Sequence, residues 1–99
     1  MTTATNTTKP TVIEKENISG LKFPENDVLA SADDKKTRAA NLEKALKLGN
    51  LEHGKIKIVF EDSEGMKQVD TTVWGVTDKR VILKQGAVVP IHRIHEVKV

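Results

Sequence analysis

His92 and His95 stand three apart with Arg93 between them, and imidazole is the side chain most often found on a metal. A tight turn would bring both rings together, with Glu96 and His53 the only loosely placed additions to the ligand set that a metal needs. Two histidines do not make such a set, so no metal is expected: one ring packs in the wall of the fold and the other is solvated. A second chemistry is electrostatic. Lys79, Arg80, Lys84 and Arg93 offer cations to phosphate, and His92 offers a contact to a base. Trp74 is another possible stacking surface, but beside Gly75 it is expected as a core or helix-packing anchor. Catalysis has little behind it. Ser19 and Ser31 lie outside the strand-rich region, Ser63 is a turn residue, and nothing places a base and an orienting group beside any of them. Asp62 and Glu64 are a carboxylate pair of the kind that hairpin turns carry, and the scattered glycines build no phosphate-cradling loop. The expectation is a non-enzymatic protein without a cofactor.

Composition narrows the classes further. The chain has 99 residues, enough for one small domain with little stability in reserve. Aromatic residues make up only 3%, so the core must be aliphatic. There is no cysteine, which excludes a disulfide scaffold, a thiolate metal site and a cysteine nucleophile together. The opening Met1-Thr-Thr-Ala-Thr-Asn-Thr-Thr8 has no basic and apolar leader pattern, and no apolar run approaches a membrane span. A cytoplasmic protein without membrane association is expected. Residues 1–36 hold five Lys and six acids, a net −1, whereas residues 37–99 hold eleven Lys or Arg and eight acids, a net +3. The strand-rich part is thus mildly basic, less so than a dedicated nucleic-acid binder.

The elements that must position these residues fall in the second two thirds of the chain. Residues 1–30 are low in apolar content and contain Pro10 and Pro24. They read as a flexible tail, with Leu21-Lys-Phe-Pro24 and Val28-Leu29 as the apolar clusters that a docking arm would use. Ser31-Ala-Asp-Asp34 then supplies a hydroxyl cap with acids in the first turn. Ala39, Leu42, Ala45, Leu46 and Gly49 recur at helical spacing, and Gly49-Asn50 is a stop signal. One amphipathic helix from about Asp33 to Leu48 is predicted, with its Leu stripe packed on the open end of a barrel. From Gly54 on, Lys55-Ile-Lys-Ile-Val-Phe-Glu61 alternates, with Ile56, Ile58 and Phe60 inward. Asp62-Ser-Glu-Gly65 and Thr77-Asp-Lys-Arg80 are turns. Val69, Thr71 and Val73 continue the alternation, and the phase shift at Trp74-Gly75 predicts a bulge or bend. Pro90 belongs to an edge, Ile91 to Ile94 to a tight turn, and Glu96 to Val99 to a last short strand. The fold class predicted is mainly β: a small antiparallel SH3-like barrel of four to five strands behind one helix, with residues 31–99 as the domain.

A helix followed by about five short strands, the second one bent, resembles the Sm-like family, including the bacterial RNA chaperones of the Hfq type. Glu64-Gly65 stands at that family's acidic-Gly turn, and Val76-Thr-Asp78 with Val81-Ile-Leu83 resembles its second and third strands. Pro90-Ile-His-Arg-Ile-His-Glu-Val97 resembles its last motif, with His92 and Ile94 on the family's histidine and isoleucine. The family's base-holding asparagine has no counterpart at Lys79-Arg80, its Arg-Gly pair is absent, and Ile91 replaces the lysine before the histidine. The ending is also similar to that of small prokaryotic proteins of unassigned function. The resemblance implies single-stranded RNA or DNA as partner, with Lys79, Arg80, Lys84 and Arg93 on phosphate and His92 on a base. The alternative is a protein-interaction or self-assembly domain that uses sheet edges, including Val97-Lys-Val99, and the helix.

Overall fold

A computed structural model describes residues 10–52 and 54–99. His53, weighed above as a ligand, and the Thr-rich opening of the expected tail therefore lie outside the described residues. The chain begins with β1 (Thr11–Val12) and a 3₁₀ helix (Lys15–Gly20), followed by α1 (Ala32–Glu52). Six strands complete it: β2 (Ile56–Asp62), β3 (Gly65–Thr71), β4 (Val73–Val76), β5 (Arg80–Leu83), β6 (Val88–Pro90) and β7 (Ile94–Lys98). Short 3₁₀ turns at Lys84–Gly86 and Ile91–Arg93 enter β6 and β7.

Helix and strand take nearly equal shares, 37% and 36%, so the expected mainly β class gives way to a mixed one. The difference comes from the 3₁₀ segments and a helix longer than its stop signal. The strands pair as two open sheets, in the orders β1-β3-β2-β7 and β4-β5-β6, and no closed barrel ladder joins them. All pairings are antiparallel except β1 with β3. Ile56, Ile58 and Phe60 of β2, Val73 of β4, Val81 and Leu83 of β5, and Val89 of β6 fill one aliphatic core between the sheets and the helix. The inward phase predicted for β2 is the observed one.

Ser31 caps α1 as its sequence suggests, accepting the Asp33 and Asp34 amides at 3.2 and 3.4 Å. The helix buries Arg38, Leu42, Ala45 and Gly49, while Ala39 of the predicted stripe is exposed. Gly49 does not end the helix. A Cβ placed there would lie 2.3 Å from the Val73 carbonyl oxygen, so the glycine is what lets α1 lie directly on β4. Close approach of two backbones, not termination, explains this residue.

Residues 10–30, read from sequence as flexible tail, are packed along the body of the fold. Ile18 is buried in the core, Phe23 stacks at a tilt on Phe60 with centroids 5.9 Å apart, and the Ile13 amide donates to the Gln68 carbonyl at 2.9 Å. The docking-arm clusters Leu21–Pro24 and Val28–Leu29 are half-buried except for Lys22. No described helix is long and apolar enough to cross a membrane.

Gly49 yields a test. A methyl group at this position overpacks the α1–β4 contact, which costs about 1–3 kcal/mol, more than the ~1 kcal/mol that Ala gains over Gly in a helix. Gly49→Ala is expected to lower the urea midpoint; a raised midpoint would mean that the helix does not need this approach.

Candidate nucleic-acid interface

The candidate residues divide into two groups, and the division follows from strand phase. On β5, Val81 and Leu83 are fully buried, so the alternating residues Arg80 and Ile82 point to the outer face of the three-stranded sheet. Lys84 continues that phase: its amide still pairs with Thr72, donating to the carbonyl at 2.9 Å, and its side chain is exposed. Two cations therefore flank Ile82, Arg80 at the start of β5 and Lys84 just past its end. Val88 stands opposite Ile82 from β6, and Pro90 stands opposite Arg80.

The β4 side of this face is set by the predicted bulge. Val73 pairs with Leu83 and Gly75 with Ile82, which leaves Trp74 as the inserted residue. A bulge re-aims the extra side chain and leaves two residues facing one on the partner strand. Trp74 is accordingly 52% exposed beside Ile82, not in the core or under the helix as expected. Gly75 adds no side chain above Ile82, so the indole face is not crowded from its own strand.

Lys79 and Arg80 belong to the β4–β5 turn, where the Thr77 hydroxyl oxygen accepts their amides at 3.2 and 3.0 Å. Threonine thereby fixes the turn while both cations project into solvent. A hollow of about 280 Å³ lies on this face, lined by Lys79, Arg80, Ile82 and Val88 among others. Lys79 and Arg80 thus border an apolar hollow with Ile82 and Val88, while strand phase puts Lys84 and the exposed Trp74 on the same sheet face.

His92 and Arg93 are not part of it. Arg93 is 4% exposed: its Nε donates to the Glu61 carbonyl at 3.0 Å and one guanidinium nitrogen donates to the Asn26 carbonyl at 2.8 Å. The guanidinium expected on phosphate instead ties the arm to β2. His92 Nε2 lies 2.9 Å from the Pro24 carbonyl oxygen, an acceptor only, so this nitrogen carries the proton and donates it. The His92 ring does border a hollow of about 530 Å³ with Lys79 and Arg80, but Glu25, Asp27 and Asp78 line the same space. His95 Nε2 is 2.8 Å from Glu61 Oε1, so the two imidazoles are committed to different partners and do not converge. Among the described residues no group of three or more His, Cys, Asp or Glu could hold a metal ion.

Beside Arg93, a second buried guanidinium holds the arm. Arg38 donates to both oxygens of Asp27, at 3.0 and 2.9 Å, and to the Ile94 carbonyl at 3.1 Å. The Arg38 guanidinium holds the Asp27 carboxyl down to about 2, helped by the Leu29 amide that donates to the same carboxylate. No family model, curated protein or solved structure matches this chain.

What sequence reasoning missed is the role of Trp74, together with Ile82 and Val88 as its apolar neighbours. The signal was the alternation Arg80-x-Ile82-x-Lys84 read together with the phase shift at Trp74-Gly75, which puts all four on one face.

The Asp27–Arg38 pair sets a pH dependence. A carboxyl held below its ordinary 3.8 contributes stability that is complete above that value and lost as pH falls through about 2. Asp27→Asn is expected to cost about 1.5–3 kcal/mol at neutral pH, the scale of hydrogen bonds to a charged group, because Arg38 is buried and keeps only a neutral partner there. The difference from the native chain in urea unfolding should shrink as pH falls from 4 toward 2. An unchanged difference across that range would show that the charge is not what Arg38 holds.

Proposed function

We propose that this protein is a non-enzymatic module that binds single-stranded RNA or DNA weakly on the outer face of β4, β5 and β6. The observation that carries the reading is Trp74: an indole exposed on a sheet face with Arg80 and Lys84 at either end of the adjacent strand. A base stacked on an aromatic ring contributes about 1–3 kcal/mol whatever its identity, and neighbouring cations hold the phosphates. Lys79, Arg80 and Lys84 are the phosphate contacts; the base contact moves from His92 to Trp74. The Sm-like small barrel belongs to the same proposal. In its favour are a helix ahead of the strands, β3 and β4 separated only by Thr72 as one bent strand would be, and β7 returning to pair with β2.

A second reading, assembly through sheet edges, has its own support. β6 and β7 each end their sheet, and Val88 and Val99 on or next to them are 37% and 55% exposed. It calls for an oligomer whose size rises with protein concentration and responds little to salt.

Trp74 is the chain's one tryptophan, so its own fluorescence reports the site. Titration with oligouridylate or oligothymidylate at low salt should quench Trp74, and binding measured by anisotropy should weaken as salt rises. Arg80→Ala and Lys84→Ala should each reduce the slope of log affinity on log salt by about 1, and Trp74→Ala should weaken binding at every salt. Absence of quenching and of any anisotropy change at low salt and high protein concentration would refute the reading, and oligomeric state would then be measured first.

A further inference from the structure

Val88, which lines the 280 Å³ hollow of the outer sheet face, also lines a further hollow that is not built by the sheet alone. It measures about 490 Å³ and lies between the arm's 3₁₀ helix, which contributes Lys15, Glu16 and Ser19, and the segment carrying Lys84, Ala87 and Val88. This volume is within the range of small-ligand pockets, about 300–1,000 Å³. Its lining includes apolar Ala87 and Val88 and two lysines, Lys15 from the arm and Lys84 from just past the end of β5. That pairing of an apolar seat with two cations suits one nucleotide: a base on the valine and its phosphates between the ammonium groups.

We propose that the arm completes the nucleic-acid site, its 3₁₀ helix forming one wall of a pocket for a single nucleotide at the Lys84 end of the sheet face. The inference rests on the binding face proposed above and adds residues from a part of the chain that sequence assigns to a tail. Lys15 is the phosphate contact on the arm side, and Ser19 offers a hydroxyl to the base or sugar. Glu16 is the regulator of that contact. Its Oε1 lies 3.1 Å from Lys15 Nζ; the Lys15 side chain is 23% exposed and that of Glu16 62%, so the carboxylate can swing into solvent and leave the ammonium to another anion. An ion pair with one solvent-facing partner is weak enough for an incoming phosphate to take the ammonium from the carboxylate. In the free protein Glu16 then stands in for the phosphate and keeps the pocket neutral on that wall.

Opposite charge changes in this pair should therefore have opposite effects. Lys15→Ala should weaken oligouridylate binding and reduce the salt slope by about 1. Glu16→Gln, which frees Lys15, should strengthen binding by a few fold, whereas the same change at the exposed turn residue Glu64 should not. Amide chemical shifts of Ser19 and Gly86 should move on titration together with Trp74 quenching. Quenching of Trp74 with no shift at Ser19 or Gly86, or equal affinities for all three variants, would overturn the pocket and leave the sheet-face reading standing. No quenching at all would remove both.

Discussion

Two guanidiniums buried in the body of this protein decide where everything else sits. Arg38 and Arg93 are 7% and 4% exposed, and a cation taken out of water costs several kcal/mol unless its donors are met. Each guanidinium draws part of its partner set from the arm: Asp27 for Arg38, and the Asn26 carbonyl for Arg93. The rest comes from Ile94 and Glu61, in strands that pair with each other. The arm is therefore not an accessory laid on a finished fold. Remove residues 26 and 27 and each buried guanidinium keeps only its strand acceptors, Ile94 for Arg38 and Glu61 for Arg93, with donors left unmet at a cost of several kcal/mol. Holding Asn26 and Asp27 also fixes the run before them. Pro24 is met by His92, Lys22 by the Ser63 amide, and Ile18 enters the core, which brings the 3₁₀ helix beside Lys84.

The second constraint is the bulge at Trp74. Val73, Val81, Leu83 and Val89 already close the inner face of the three-stranded sheet with no exposure at all. An indole has no room there, and the inserted residue turns it outward, where it adds apolar surface next to Ile82 and Val88. The exposed indole is one of three aromatic residues in the chain and the one that the core does not take in. Arg80, Ile82 and Lys84 reach that face independently, through the alternation of β5 around buried Val81 and Leu83, so the bulge supplies the indole and strand phase its charged surroundings.

These two constraints also explain how far the sequence could be read. Whatever depends on local pattern was legible: the Ser31 cap, the inward phase of β2, the Thr77 turn, the edge position of Pro90 and the irregularity at Trp74-Gly75. What depends on distant partners was not. The acceptors that order the arm are largely main-chain carbonyls, of Lys22, Pro24 and Asn26, and a carbonyl carries no sequence signature. Arg93 looked like a phosphate ligand because burial of an arginine shows only once its acceptors are in place. Gly49 offered the pattern of a helix stop, and only the β4 backbone against it reveals that it permits contact instead. Even the bulge was half legible: its place followed from Gly75, but which way Trp74 would turn depended on a core already filled.

The charge balance of the outer face bears on what kind of ligand it can hold. Its cations are few, Lys79, Arg80 and Lys84, with Lys15 across the arm, and Asp78 and Glu16 stand among them. Counterion release scales with the number of phosphates neutralised, so a face of this kind draws only modest affinity from charge. A duplex, whose bases are hidden and whose recognition leans on phosphate contacts, would gain little here. In the reading proposed for this face, a single strand would add what the charges do not supply, by stacking an exposed base on Trp74 and seating another on Val88. That proposal therefore takes unpaired rather than paired nucleic acid as the ligand.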